Sequence, residues 1–156
     1  MAVITLEELS TLLGRHQRLL ALDLGTKTIG LALSDVSRFI ATPVETLKRT
    51  KFTKDAKALF EIVTAQDVGA LVLGLPISMD GTEGPRCQST RQFAENLLGL
   101  QDIPILLWDE RLSTAAVERI LIHDADLSRS KRSAVVDRAA AAYILQGVLD
   151  ALGHSR

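Results

Sequence analysis

The sequence LLALDLGTKTIGLALS, residues 19–34, contains two apolar runs that a short polar segment separates. Residues 19–24 and residues 29–34 are rich in Leu, Ile and Ala, and each run has the length of a buried strand. The connection GTKT contains a glycine, and strands joined so tightly form an antiparallel hairpin. This stretch therefore predicts a sheet that begins with a β-hairpin, and it places one acid, Asp23, in the first strand.

Beyond the hairpin, apolar strand-like segments alternate with amphipathic helical segments. The predicted strands cover residues 38–47, 69–76 and 103–108, and the predicted helices cover residues 5–17, 53–66, 86–98, 113–123 and 133–151. The glycine-rich segment SMDGTEGP, residues 78–85, is predicted to be a surface loop. Continuous apolar runs that alternate with helices are typical of parallel strands covered on both faces. The sequence therefore predicts an α/β fold with a mixed five-stranded sheet flanked by helices on both faces.

The composition is that of one ordinary globular domain. The chain has 156 residues, of which 47% are hydrophobic and 24% charged, so we expect a single domain over residues 1–156 in which residues 1–17 form a helical extension. No run reaches the roughly 18 apolar residues of a membrane span, and the N-terminus does not resemble a secretory signal. The single cysteine, Cys87, rules out an internal disulfide, and both it and Trp108 are predicted core residues. We therefore expect a cytoplasmic protein without a membrane partner.

Acidic residues occur where several elements could bring them to one cleft. Asp23 lies in the first strand of the hairpin, Asp109 and Glu110 follow a buried strand, and Asp137 borders the apolar stripe of the last helix. Ligands of open α/β sheets bind outside the carboxyl ends of parallel strands. Grouped carboxylates repel one another unless a cation neutralises them, and Mg²⁺ and Mn²⁺ prefer oxygen ligands. The pattern favours a divalent metal site, although each acid alone could be a turn cap, a surface ion pair or a solvated helix residue.

Basic residues are concentrated in two segments. LKRTKFTKDAK, residues 47–57, is interpreted as a solvated face, whereas SRSKRSAVVDR, residues 128–138, leads directly into Asp137. Positive charge beside an acidic metal site suits a polyanionic substrate, whose phosphates Lys and Arg bind. The aromatic content of 4% argues against recognition by base stacking. The candidate substrate-binding residues are Lys27, Arg111, Arg129, Lys131 and Arg132.

Four motifs, in this order along the chain, resemble those of one known family. They are LDLGTKTIGLALSD, LVLGLPISMDGTEG, WDERLSTAAVE and VDRAAAAYIL. Together they are similar to the YqgF family of bacterial proteins, whose members are described as Holliday junction resolvases or as nucleases that mature the precursor of small-subunit ribosomal RNA. The resemblance covers residues 18–150, nearly the whole chain. It implies an RNase H-like fold and metal-dependent cleavage of a phosphodiester bond.

The resemblance also implies a set of site residues. Asp23 corresponds to the first metal ligand, an acid of the DER motif to the second, and Asp137 to the third. Glu110 is preferred as the second ligand, with Asp109 as the alternative. The implied cofactor is Mg²⁺ or Mn²⁺, as two ions. The implied substrate is precursor ribosomal RNA, with ribosomal particles as further partners, or branched DNA. A monomer and a homodimer both fit this family.

Two other functions fit parts of the sequence. A non-catalytic ribosome-assembly or nucleic-acid-binding factor would keep the fold without the chemistry, but the acids argue against it. The hairpin sequence DLGTKTIGLALSD, residues 23–35, also resembles the phosphate-binding hairpin of sugar kinases, actins and chaperone ATPases. Those proteins bind nucleotide between two such domains, and this chain has one such hairpin. The sequence therefore favours a nuclease over an ATP-binding module.

Overall fold

The fold is a mixed sheet with helices on both faces. The computed structural model describes residues 3–14, 16–78, 80–112 and 129–154, including within the last segment the side chains of residues 138–153. The strands are β1 Val3–Ile4, β2 Arg18–Leu24, β3 Thr28–Ser34, β4 Ala41–Lys48, β5 Val68–Leu75 and β6 Ile105–Asp109. The α-helices are α1 Leu6–Leu12, α2 Phe52–Ala65, α3 Pro85–Leu100 and α4 Arg129–His154, and a 3₁₀ turn covers Glu110–Leu112.

The predicted hairpin is confirmed, and it forms one half of the sheet. The strand order is β1-β6-β5-β2-β3-β4, in which β2, β3 and β4 pair antiparallel and β1, β6, β5 and β2 pair parallel. Leu24 pairs with Ile29, and the backbone N–H of Gly25 donates to the carbonyl of Thr28 at 2.8 Å, which closes the turn. The remaining predicted strands and helices lie within a few residues of their expected bounds, apart from the N-terminal segment and the helix predicted over residues 113–123.

The N-terminal segment differs from the prediction. Within the described residues the sheet has six strands rather than five, because Val3 and Ile4 form a short strand that pairs in parallel with β6. Two residues are too few to show a strand periodicity in the sequence. The following helix starts as expected, with Glu8 N–H donating to the Thr5 hydroxyl at 3.2 Å in a capping box. It ends at Leu12 instead of residue 17. The helix predicted over residues 113–123 lies outside the described residues.

Alternate residues of the strands feed two apolar cores. On one face, Ala21 and Val72 pack with Ile144 and Val148 of α4. On the other face, Leu22 and Leu73 pack with the inward stripes of α2 and α3. Cys87 is fully buried and Trp108 is partly buried against the α4 core, as expected for core residues. In the described part of the chain, no helix has the length and apolar character required to cross a bilayer.

The parallel strands β2, β5 and β6 end together. Leu22 pairs with Leu73, and Leu73 pairs with Leu107, so these three residues form one row across the sheet. The next residue along each strand is Asp23, Gly74 or Trp108, and strand alternation turns this second row toward α4. The carboxyl edge of the sheet therefore presents Asp23 on the face that α4 covers.

Candidate active site at the carboxyl edge of the sheet

Asp23 is a buried acid at the end of β2. Only 2% of its surface is exposed, and it lies on the same side of the strand as Ala21, which packs under α4. Its partner in β3 is Gly30, which has no side chain to crowd it. Burial of a carboxylate is costly unless charge or hydrogen bonds compensate. The hairpin therefore holds this acid at a fixed point inside the sheet edge.

Glu110 reaches back over β5 toward the same region. Glu110 is 8% exposed, and it begins the 3₁₀ turn directly after β6. A Cβ atom placed on Gly74 would lie 2.8 Å from Glu110 Oε1 and 2.5 Å from Ile144 Cδ1. The Glu110 carboxylate therefore occupies the space that Gly74 leaves open. Since β5 is the neighbour of β2, about 4.8 Å away, Asp23 and Glu110 lie over adjacent strands on one face.

Asp109 has a different environment although it is the next residue in the chain. It continues the alternation of Ile105 and Leu107, which face α2 and α3. Its carboxylate accepts hydrogen bonds from Arg111 Nε at 3.0 Å and Arg111 Nη2 at 2.7 Å. The Arg111 guanidinium is the main cause that holds the pKa of Asp109 below its ordinary value. Of the two acids in the DER motif, the structure brings Glu110 beside the Asp23 strand and pairs Asp109 with Arg111.

The other predicted site residues are described only in part. The backbone of Asp137 lies in α4, seven residues before Ile144, a spacing of two helical turns. The side chains of Asp137, Arg129, Lys131 and Arg132 lie outside the described residues. Lys27 is exposed in the hairpin turn. Among the described side chains, no group of three His, Cys, Asp or Glu residues is placed to hold a metal ion. The structure thus brings two of the predicted acids together and does not describe the third.

The glycine-rich loop after β5 lies next to Arg111. Gly81 adopts a φ of +89°, a conformation that favours glycine, and its N–H donates to the carbonyl of Ser78 at 2.8 Å. Hydrogen bonds from Thr82 are the main reason that the pKa of Asp80 is lowered, and the charge of Arg111 lowers it further. The loop therefore forms a compact turn at the same edge of the sheet as the acids.

Comparison with known proteins identifies the family. The chain matches the family model described as "RuvX: Holliday junction resolvase" over residues 17–151. The chain belongs to the RuvX family. Two relatives, from Paramagnetospirillum magneticum and Rhodospirillum rubrum, are 64% and 57% identical to it. The matches cover 96% and 100% of this chain and 96% and 97% of the relatives, and both relatives carry the name "Putative pre-16S rRNA nuclease". The family expected from the four motifs is confirmed.

Solved structures confirm the fold of this RuvX-family chain. It superposes on T. thermophilus RuvC in complex with a Holliday junction substrate with a TM-score of 0.54 and 12% identity, covering 87% of this chain and 95% of that one. The yeast mitochondrial Holliday junction resolvase Ydc2 gives a TM-score of 0.51 and 12% identity, with coverages of 97% and 87%. At this identity the likeness concerns architecture alone, and it agrees with the predicted RNase H-like fold.

The two candidate acids, Asp23 and Glu110, fit a hard divalent cation. Asp23 and Glu110 offer oxygen ligands, the type that Mg²⁺ and Mn²⁺ prefer, and both side chains are buried. The space above Gly74 admits the Glu110 carboxylate, which a side chain on that strand would displace. A cation between such carboxylates offsets the repulsion that two buried like charges otherwise create. The donor set therefore agrees with the metal that family membership implies.

Gly74 is a residue of the candidate site that the sequence prediction missed. It lies within the apolar run of β5, where a glycine usually weakens a strand and often marks the close approach of another group. That rule gives a signal in the sequence, but it does not tell which group approaches. In the structure the group is the Glu110 carboxylate, together with Ile144.

Proposed function

We propose that this chain is a metal-dependent nuclease that hydrolyses phosphodiester bonds in the precursor of 16S ribosomal RNA, acting in the cytoplasm on RNA of ribosomal precursor particles. The observation that carries the proposal is the pair of buried carboxylates, Asp23 and Glu110, over adjacent strands at the carboxyl edge of the sheet. Relatives at 53–64% identity bear the name of a nuclease for this RNA, which supports the choice of substrate.

In this proposal Asp23, Glu110 and Asp137 hold the cations. When bound there, Mg²⁺ or Mn²⁺ would supply an activated water and would neutralise charge on the phosphate, as in two-metal phosphodiester hydrolysis. Asp23 contributes a carboxylate fixed by the hairpin, and Glu110 contributes one that Gly74 leaves room to enter. Fixed ligands of this kind lower the cost of reaching the reactive geometry, because little has to reorganise during the reaction.

The residues around the acids have supporting roles. Arg111 engages Asp109 through two nitrogens and keeps that acid ionised and turned away from the Asp23 face. Lys27, exposed at the tip of the hairpin, is assigned to bind a phosphate of the substrate. The same role is assigned to Arg129, Lys131 and Arg132 from their positive charge in the sequence before Asp137. Binding of several phosphates would make substrate affinity depend strongly on salt concentration.

The test is cleavage of a 16S precursor RNA that carries its 5′ leader, with Mg²⁺ or Mn²⁺ and with EDTA. We expect cutting of the leader only with metal, and loss of cutting in Asp23→Asn and Glu110→Gln. Asp109→Asn is the matched control, since it removes a carboxylate from the neighbouring position. If wild-type protein leaves the RNA intact and Asp23→Asn still supports ribosome maturation in cells, the chain is a non-catalytic assembly factor.

A second candidate function is resolution of branched DNA. The family description and the fold likeness to RuvC favour it. A resolvase cuts two strands symmetrically and therefore needs two copies of the site, whereas an RNA-maturing nuclease works as a monomer or a homodimer. A four-way DNA junction in the same assay, together with sedimentation of the protein, distinguishes the two. Paired cuts by a dimer would favour the resolvase.

A further inference from the structure

A pocket lies at the same edge of the sheet as the acids, on the face opposite to Asp23. It has a volume of about 440 Å³ and lies where the β2–β3 turn, the β4–α2 connection and the start of α3 meet. Hydroxyl and guanidinium groups line it, contributed by Thr26, Arg49, Thr50, Arg86, Ser89 and Thr90. Among the described residues no carboxylate lines it, although the buried carboxylate of Asp55 accepts hydrogen bonds from the Thr50 N–H and hydroxyl, both at 3.1 Å. Since the Thr50 hydroxyl donates to Asp55 and the Thr90 hydroxyl donates to the carbonyl of Arg86, the donors left for a ligand are mainly those of the two guanidinium groups, which make the pocket positively charged.

Both arginines of the pocket are oriented by the strand that carries Asp23. Arg49 Nη1 donates to the carbonyl of Gly25 at 2.7 Å, and Arg86 Nη2 donates to the carbonyl of Leu24 at 3.3 Å. Two successive carbonyls after Asp23 thus hold the two guanidinium groups in place. In the part of the chain that the structure describes, neither arginine has a carboxylate within ion-pairing distance. Each guanidinium retains further N–H groups for a ligand.

Arg49 is an exception within residues 47–57, whose lysines are exposed as the interpretation as a solvated face predicts. Arg49 is half-buried, and its Cζ atom lies 5.6 Å from the centroid of the Phe93 ring. Phe93 itself is only 4% exposed, so its ring is not open for stacking with a base. A pocket with positive charge and no free aromatic surface suits a phosphate group better than a nucleobase.

We propose that this pocket binds a backbone phosphate of the same nucleic-acid strand that is cut at Asp23 and Glu110. The inference rests on the proposed nuclease function and extends its substrate site across the end of β2. Leu24, the residue next to Asp23, lines the pocket, so the two sites adjoin at one strand end. A strand that passes over the hairpin turn meets the acids on one side and the arginines on the other. The pocket is a phosphate clamp that fixes the register of the strand.

The test measures binding without cleavage. A fluorescent single-stranded RNA from the 16S leader is titrated in EDTA at several salt concentrations, and affinity is read from anisotropy. Arg86→Gln is the test variant, and Arg91→Gln is the matched control, because Arg91 lies on the same helix but pairs with Glu83 at 2.8 Å. We expect Arg86→Gln to weaken binding about 10-fold and to flatten the salt dependence by about 0.7 in log–log slope. Arg91→Gln should bind within about twofold of wild type.

Further measurements keep the outcomes separate. Arg86→Lys, which keeps charge but loses the planar fork, should recover affinity only in part. Melting temperatures of all variants are measured to check that they fold. Arg49→Gln is a second substitution in the same pocket. If wild type binds RNA tightly and Arg86→Gln binds equally well, the clamp is overturned while the nuclease function stands. Inorganic phosphate is the second probe, and its binding is followed by the NMR signals of the Arg86 side chain. If phosphate shifts these signals but Arg86→Gln leaves RNA affinity unchanged, the pocket binds free anions only. That result also overturns the clamp. If the wild-type protein binds no nucleic acid at all, both the phosphate clamp and the proposed nuclease function are contradicted.

Discussion

The two faces of the sheet carry opposite charge where β2 ends. On the α4 face, Asp23 and Glu110 place two buried carboxylates over adjacent strands. On the α2–α3 face, Arg49 and Arg86 are held by the carbonyls of the next two residues in a more open pocket. Side chains alternate along a strand while backbone carbonyls remain available at its end. One short segment can therefore organise an acidic centre for chemistry and a basic one for substrate binding.

The largest effect should come from the acidic face. Asp23→Asn should lower the cleavage rate by about 100-fold or more, since even outer-shell partners of metal ligands contribute 10–100-fold. Affinity for RNA in EDTA should stay the same or increase, because a negative charge near the phosphate is removed. Single-turnover cleavage and anisotropy on the same RNA separate the two quantities. If Asp23→Asn instead bound RNA more weakly and cleaved it at the wild-type rate, the roles assigned to the two faces would be reversed.

A paired substitution in the DER motif sharpens this prediction. Glu110→Gln should resemble Asp23→Asn, whereas Asp109→Asn should change the cleavage rate by less than about 10-fold, since Asp109 contacts Arg111 rather than the Asp23 region. Equal loss in both variants would show that the face on which an acid lies does not decide its role.

An intermediate effect is expected from the glycine between the acids. Gly74→Ala places a methyl group 2.5 Å from Ile144 Cδ1 and 2.8 Å from Glu110 Oε1, so those side chains must move. Overpacking of this kind costs about 1–3 kcal/mol in the free energy of unfolding, and displacement of Glu110 should also lower the cleavage rate. Urea denaturation and the cleavage assay measure the two effects.

The matched control for Gly74 is on α3. Gly99 is exposed, and a Cβ placed on it meets no atom within 4 Å. Gly99→Ala should therefore raise the free energy of unfolding by up to about 1 kcal/mol through helix propensity, with cleavage unchanged. Destabilisation by both substitutions, or by neither, would contradict the role assigned to the space above Gly74.

The smallest effect concerns the acid that faces away from the site. Arg111 lowers the pKa of Asp109 in the folded state, so the pair stabilises the fold above the unfolded pKa of about 3.9 and that contribution fades as pH falls through the lower folded pKa. Asp109→Asn should therefore be less stable than wild type at pH 7, and the difference should shrink below pH of about 4. Urea midpoints between pH 3 and pH 7 follow it. If the stability difference between wild type and Asp109→Asn grew as the pH fell, the Asp109–Arg111 pair would not be stabilising.

The sequence pattern predicted much of this arrangement but not the details that depend on strand register. The hairpin, the alternation of helices and strands, and Asp23 follow from local composition and spacing. The choice between Asp109 and Glu110 depends on where β6 ends relative to β5, which no local pattern encodes. Arg86 resembles any solvated helix residue until α3 is packed beside the hairpin. Strand β1 is too short to show a pattern, and it exists because β6 offers it a partner.

The outer strands of the sheet affect how the protein behaves at high concentration. β1 is two residues long, and β4 carries Pro43 where its register with β3 shifts. A two-residue strand offers few unpaired backbone groups, and a proline with a local bulge interrupts the row of donors. Each of these two strands is a poorer template for strand addition by another chain than a long regular strand. These features oppose edge-to-edge pairing in the described part of the sheet, even though Phe39 and Ile40 are exposed beside β4.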